Sequence, residues 1–300
     1  MVKRNSDKRF RFVSLLIVLI HASSLALPTI GTPEEIPSIV HSKDGTSIAL
    51  FCTGSGPAML LVHGGSGDHS SWDPVLPLLT ARYRVCALDR RGHGKSGDSM
   101  GYSLDREIED VAAGVNAMNG PVILAAHSFG AICAAEAALL STSVDRLVLY
   151  EPPIPINGPI ASPEALSKFE DLVKSNQNDA ALEMFLREIV KLPEARIASA
   201  RKDPGWTSRA KSIAVQVREL RAVNAYKFSS EKFEKLRTPT LLVTGSETAE
   251  HHRIAIDALG RIFPNRTLVV LQGQGHDGIR SAPGLFAESV LKFLEPSTAK

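Results

Sequence analysis

Short apolar runs recur along the chain, each followed by a polar or glycine-containing break, and their periods predict alternating strands and helices. Residues 38–41 and 47–52 flank Lys43-Asp44-Gly45-Thr46, and Asp-Gly between two strand-like runs predicts a hairpin. Residues 58–62, 83–88, 122–126, 146–150, 240–244 and 266–271 are short and largely apolar, the pattern of parallel strands buried on both faces. Between them the period lengthens. Residues 104–118 set Leu104, Ile108, Val111 and Val115 on one face of a helix, and helices are also predicted over 131–140, 251–263 and 285–294. Strands alternating with helices predict an α/β domain, an ordinary architecture for a chain of 300 residues.

One stretch breaks the alternation. Residues 154–236 contain no buried-strand run. Helical patterns over 163–175, 179–192 and 208–223 are joined by breaks at Pro193 and Asp203-Pro204-Gly205. Met184, Phe185, Trp206, Tyr226 and Phe228 are candidates for pocket wall or for this region's own core.

The N-terminus breaks it differently. Lys3, Arg4, Lys8, Arg9 and Arg11 precede the apolar run 12–20, and small residues follow at Ser24 and Ala26. Residues 1–26 therefore read as a secretory signal peptide, or alternatively a membrane anchor, and the expected location is outside the cytoplasm. That segment carries five basic residues and Asp7, a charge of +4 within a whole-chain charge of +2, so the remainder is near −2. The basic balance belongs to the leader, and nothing suggests nucleic-acid binding. Membrane contact is expected only through the leader, if it stays uncleaved. Cys52, Cys86 and Cys133 are too few and scattered for a disulfide framework or zinc site. Burial as small hydrophobes is the default, with a Cys52–Cys86 bridge as an option if the protein is exported and their strands are neighbours.

The candidate chemistry starts at Ser128. The apolar run 122–126 ends in His127-Ser128, and an alanine-rich helix begins with no loop between them. Ala126 and Gly130 flank the serine with little or no side chain, which permits a very sharp turn. A glycine-rich break, His63-Gly64-Gly65-Ser66-Gly67, follows the run 58–62. It satisfies neither the phosphate-loop nor the dinucleotide spacing. Asp89-Arg-Arg-Gly-His-Gly-Lys-Ser96 follows the run 83–88, and Gly273-Gln-Gly-His276 follows the final one.

Together these segments resemble the α/β-hydrolase superfamily over nearly everything after residue 38. Ala126–Gly130 is similar to its nucleophile elbow, with Ala126 for the first glycine, and the order serine, acid, histidine along the chain is the family's. The resemblance implies a mostly parallel, doubly wound, eight-stranded sheet formed by 27–153 and 237–300, with 154–236 as a helical cap. It implies Ser128 as nucleophile, His276 as base, and the N–H groups of Phe129 and Gly65 as an oxyanion hole. The acid is expected at Glu247, past the seventh strand, with Glu151, past the sixth, as the other position used in the family. Asp277, Asp257, Glu250, His251 and His252 are expected to stay out of the chemistry, the last two as solvated helix residues. His63 and His93 are expected to be structural, and His69 to line the pocket or face solvent. The activity implied is ester or lactone hydrolysis of a small, partly apolar substrate, with no metal or organic cofactor. The same triad supports C–C hydrolysis, perhydrolysis and lyase chemistry, or ligand binding without turnover. Aspartate-nucleophile relatives are disfavoured by Ser128.

Overall fold

The apolar runs assemble side by side in a computed structural model that describes Met1 and residues 36–295. Apart from Met1, the segment read as a leader lies outside the described residues. The strands are β1 (Ser38–His41), β2 (Ser47–Thr53), β3 (Ala58–Val62), β4 (Arg84–Leu88), β5 (Val122–His127), β6 (Val144–Tyr150), β7 (Thr240–Gly245) and β8 (Arg266–Leu271). They form one eight-stranded sheet in the order β1-β2-β4-β3-β5-β6-β7-β8. The β1–β2 hairpin is antiparallel and joins β4 antiparallel, while every pair from β4 onward is parallel. This is the α/β-hydrolase fold expected from the sequence.

Alternation along each strand feeds two cores. Leu60, Val62, Leu124 and Ala126 point to the face covered by helices Leu104–Ala117, Phe129–Leu140 and Glu250–Ile262. Met59, Leu61, Ile123 and Ala125 point to the opposite face, against Trp72, Leu79, Phe286 and Val290. Helix Phe129–Leu140 packs very close to the sheet. A Cβ on Gly130 would lie 2.3 Å from the carbonyl oxygen of His63, so only glycine permits this approach.

Between β6 and β7 the described elements are all helical, and their apolar side chains form a third cluster around Phe169, Leu182, Phe185 and Ile213. Two single helices expected here are each interrupted. The pattern over 179–192 becomes Asn178–Met184 followed by a π-turn, Phe185–Ile189, in which Val190 N–H donates to Phe185 C=O at 2.9 Å. The pattern over 208–223 divides into Trp206–Ser212 and Val215–Ala225. Met184 and Trp206 are buried in this third cluster, Phe228 packs on the sheet core, and Tyr226 donates to Glu136 at 2.7 Å. Phe185 alone among the five wall candidates lines the cavities described below.

Of the two options for Cys52 and Cys86, the strand register selects the bridge. Cys52 on β2 lies directly opposite Cys86 on β4, and the two form a disulfide. Cys133 is free and buried, as expected.

Candidate active site

The parallel strands all end on one edge of the sheet, and the residues following them converge there. This is where ligands bind in open α/β sheets. Ser128 follows β5 at φ 54° and ψ −128°, a conformation that non-glycine residues adopt only when their surroundings impose it. Its N–H donates to Tyr150 C=O at 2.9 Å. Gly64 leaves room for it, since a Cβ there would lie 2.8 Å from Ser128 Cβ and 3.0 Å from His127 Nδ1. Phe129 is the first residue of the following helix, so its N–H has no intrahelical acceptor. Neither that N–H nor Gly65 N–H has a hydrogen-bond acceptor among the described residues, and both residues border the space in front of Ser128.

The orientation of Gly65 N–H is imposed from behind. The carbonyl of Gly64, in the same peptide unit, accepts from Arg90 Nη1 at 3.1 Å and from His63 Nδ1 at 2.7 Å. In a trans peptide the N–H points opposite to the C=O, so anchoring one aims the other away from the anchor. His63 Nε2 accepts from Arg90 N–H at 3.0 Å, which places its single proton on Nδ1. Burial, and then the Arg90 charge, keep His63 neutral. Arg90 is in turn buried between Glu107 and Glu219, and stacks 4.4 Å over the Phe129 ring. The segment 89–96 therefore works as a structural brace. His93 bonds Glu219 at 2.7 Å, and His69 is held by Asp89 at 2.9 Å and stacked on Phe51.

His276, in the loop after β8, meets a carboxylate, but not the one expected. Its Nδ1 lies 2.7 Å from Glu151 Oε2. Glu151 is fully buried, whereas Glu247 is exposed and makes no side-chain hydrogen bond among the described residues. The expectation of Glu247 is thus corrected to Glu151. The reason lies in strand order: β6 is directly beside β5, so a residue just past β6 is adjacent to the elbow. Glu151 takes up a left-handed φ of 45° there, with its N–H donating to Val243 C=O. Its other oxygen accepts from Thr244 Oγ1 and Gly245 N–H, both at 2.8 Å. Burial raises its pKa, but these donors and His276 outweigh burial and keep the carboxyl below its ordinary range. The His276 backbone is pinned as well. His127 Nε2–H donates to His276 C=O at 2.8 Å, and Tyr150 OH donates to Gly275 C=O.

Two hollows open from Ser128. The larger, about 220 Å³, is bordered by Ser128, His276, Gly65 and Phe185 together with Arg196, Arg209 and Arg280. The smaller, about 40 Å³, is bordered by Phe129, Ile160, Phe185, Ile189, Leu220 and His252 among others. The expectation that His251 and His252 are solvated is corrected for His252. It is 2% exposed, its ring lies flat on that of His276 with centroids 4.0 Å apart, and neither ring nitrogen has a partner. Burial holds it neutral, well below the usual histidine range. His127 is likewise held at about 3 by burial and by His276.

Two groups bring potential metal ligands within 4.8 Å of one another: Glu151–His252–His276 and Asp68–His69–Asp89. In the first, His276 Nδ1 and Glu151 are already occupied with each other, leaving only imidazole nitrogens unpartnered. In the second, Asp68 accepts from Ser70 N–H and Asp89 accepts from His69 and Lys95 N–H. Hydrogen bonds thus account for both sets of carboxylates.

The comparisons with known proteins agree with the fold. The α/β-hydrolase family model matches residues 59–289, and the chain belongs to the α/β-hydrolase family. It is 26% identical over 259 residues to the 2-(acetamidomethylene)succinate hydrolase of Mesorhizobium japonicum, covering 81% of this chain and 89% of that protein. It is 31% identical over 124 residues to the probable oxidoreductase EphD of Mycobacterium tuberculosis, but that match covers 39% of this chain and only 21% of the relative. Among solved structures, an α/β hydrolase from Sphaerobacter thermophilus superposes with a TM-score of 0.76 at 29% identity, covering 86% of this chain and all of that one.

Proposed function

We propose that the protein is a serine hydrolase that cleaves an ester or lactone of a small, partly apolar substrate through an acyl-enzyme. The observation that carries this reading is the buried Glu151–His276 pair set beside the strained Ser128, with two unpartnered N–H groups at the same hollow. His276 takes the Ser128 hydroxyl proton as Oγ attacks the carbonyl carbon. The resulting oxyanion is held by the N–H groups of Phe129 and Gly65, each contributing about 3 kcal/mol of transition-state stabilisation. The proton passes to the leaving oxygen as the C–O bond breaks. Water, deprotonated by His276, then attacks the acyl group, and Ser128 Oγ leaves with the proton returned. Glu151 orients the imidazole and stabilises its cation, in the role of a triad acid. The helices between β6 and β7 act as a cap that shapes both hollows. We further propose that the chain works outside the cytoplasm after loss of residues 1–26. The Cys52–Cys86 bridge favours this, because such bonds persist in oxidising compartments.

The test is hydrolysis of p-nitrophenyl esters of graded acyl length together with fluorophosphonate labelling. Ser128→Ala should abolish both. Glu151→Gln should lower kcat by about 10⁴-fold, and Glu247→Gln by no more than about twofold. Labelling without turnover of any ester would move the reading to another chemistry of the same triad. A Glu247→Gln loss as large as that of Glu151→Gln would overturn the choice of acid.

A further inference from the structure

The larger hollow carries a charge that the proposed reaction does not use. Three guanidiniums border it, those of Arg196, Arg209 and Arg280. Asp203 pairs with Arg280, and Asp277 lies 3.7 Å from Arg196. Both carboxylates thus have closer partners, and on Arg209 the carboxylates of Asp203 and Asp68 act only through space. No carboxylate among the described residues forms an ion pair with Arg209. Its hydrogen bonds among the described residues run to the main-chain and side-chain oxygens of Ser66, from Nε and Nη2, both at 3.2 Å. A guanidinium has five donors in a planar fork, so Nη1 and half of Nη2 are left for the hollow. Burial, and then repulsion from Arg280, lower its pKa to about 10, so it is still a cation at neutral pH.

A desolvated cation with free, coplanar donors is a site for an anion. The geometry points to a carboxylate-bearing substrate: we propose that Arg209 binds a carboxylate on the acyl or alcohol part of the ester while its carbonyl sits at Ser128. The planar fork of an arginine matches a carboxylate's two oxygens. The residue also ties specificity to the oxyanion loop. Ser66 follows Gly65 directly and holds a left-handed φ of 52°, so the group that binds the anion braces the loop that supplies an oxyanion donor. The apolar smaller hollow, bordered by Phe129 and Leu220, takes the uncharged end of the molecule. This substrate class rests on the serine-hydrolase reading above.

The experiment compares mono-p-nitrophenyl glutarate, which carries a free carboxylate, with its neutral methyl ester. The parent should favour the acid in kcat/KM by about tenfold or more, the range of a hydrogen bond to a charged group. Arg209→Gln should lower that ratio at least tenfold, and Arg209→Lys should restore part of it. Free glutarate should inhibit hydrolysis of the neutral ester competitively, and dimethyl glutarate should not. These parent measurements stand even where the glutamine variant does not fold. A parent that prefers the neutral ester, or a ratio unmoved in Arg209→Gln, overturns the proposal and leaves the hydrolase reading intact. Where neither ester is turned over, that reading fails instead. Glutarate binding to the parent by calorimetry, lost in Arg209→Gln and partly kept in Arg209→Lys, then decides the anion site separately.

Discussion

Two histidine–glutamate pairs in this molecule have the same length and opposite fates. His276–Glu151 and His93–Glu219 each span 2.7 Å, and both glutamates are buried. In the first pair the remaining donors to the carboxylate are neutral, Thr244 and Gly245, so the only charge that balances Glu151 is one that appears on His276. In the second pair Arg90 already neutralises Glu219, and the free nitrogen of His93, Nδ1, is sealed in the interior without a partner. His276 instead borders both hollows beside Ser128. The distance between an imidazole and a carboxylate thus says little about chemistry. What matters is whether the imidazole has an open side, and whether a permanent cation has already taken up the carboxylate's charge.

Substitutions that separate activity from stability test this contrast. The largest effect is the roughly 10⁴-fold loss of kcat in Glu151→Gln set out above, for which near-native unfolding is expected because glutamine keeps most of the contacts. Arg90→Met should do the reverse in kind. It leaves Glu107 and Glu219 buried without their cation, and should destabilise the fold by about 3–5 kcal/mol in denaturant unfolding. An Arg90→Met protein as stable as the parent would mean that the His93–Glu219 pair does not depend on that charge.

A smaller effect comes from the glycine behind the nucleophile. A Cβ at Gly64 would meet Ser128 Cβ at 2.8 Å, and Gly64→Ala should lower kcat about 10²-fold, the consequence of displacing a reacting group by about 1 Å. Burst kinetics on a p-nitrophenyl ester measures this. An unaltered acylation rate would show that the elbow has slack.

The smallest effect sharpens the contrast through pH. His252 is held neutral in the folded state well below 6.5, while in the unfolded chain it takes up a proton near 6.5. Above that pH it contributes nothing to the pH dependence. Below it the unfolded state binds more protons, so stability falls by about 1.4 kcal/mol per pH unit from this residue. His252→Phe keeps a ring against His276 and removes the titration. Its unfolding free energy between pH 6 and pH 5 should fall less steeply than the parent's by that amount. Equal slopes would mean that His252 is protonated in the folded protein.

Much of this protein could be read in one dimension, because the relevant physics is local. Apolar runs with the right period gave all eight strands to within two residues, since burial on both faces of a parallel sheet leaves a continuous apolar signature. The elbow was legible because a strand running straight into a helix around a serine, between Ala126 and Gly130, permits one sharp turn. The glycines at 64 and 65 likewise announced a close approach. What tertiary structure decided were questions of adjacency. Glu151 and Glu247 both follow buried strands, and only the order β5-β6-β7 and the turn at Glu151 put one of them against His276. Cys52 and Cys86 pair because antiparallel register sets them opposite each other. Helical spacing around His252 gave no sign that its ring lies on His276. Arg209 looked like any basic residue on a helix. Its significance comes from Asp203 and Asp277, which pair with its neighbours, and from a fold that sets it on the same hollow as Ser128. A sequence carries periodicity and turn chemistry in every window, but which charge remains unpaired is set by side chains far apart along the chain, and folding alone brings them together.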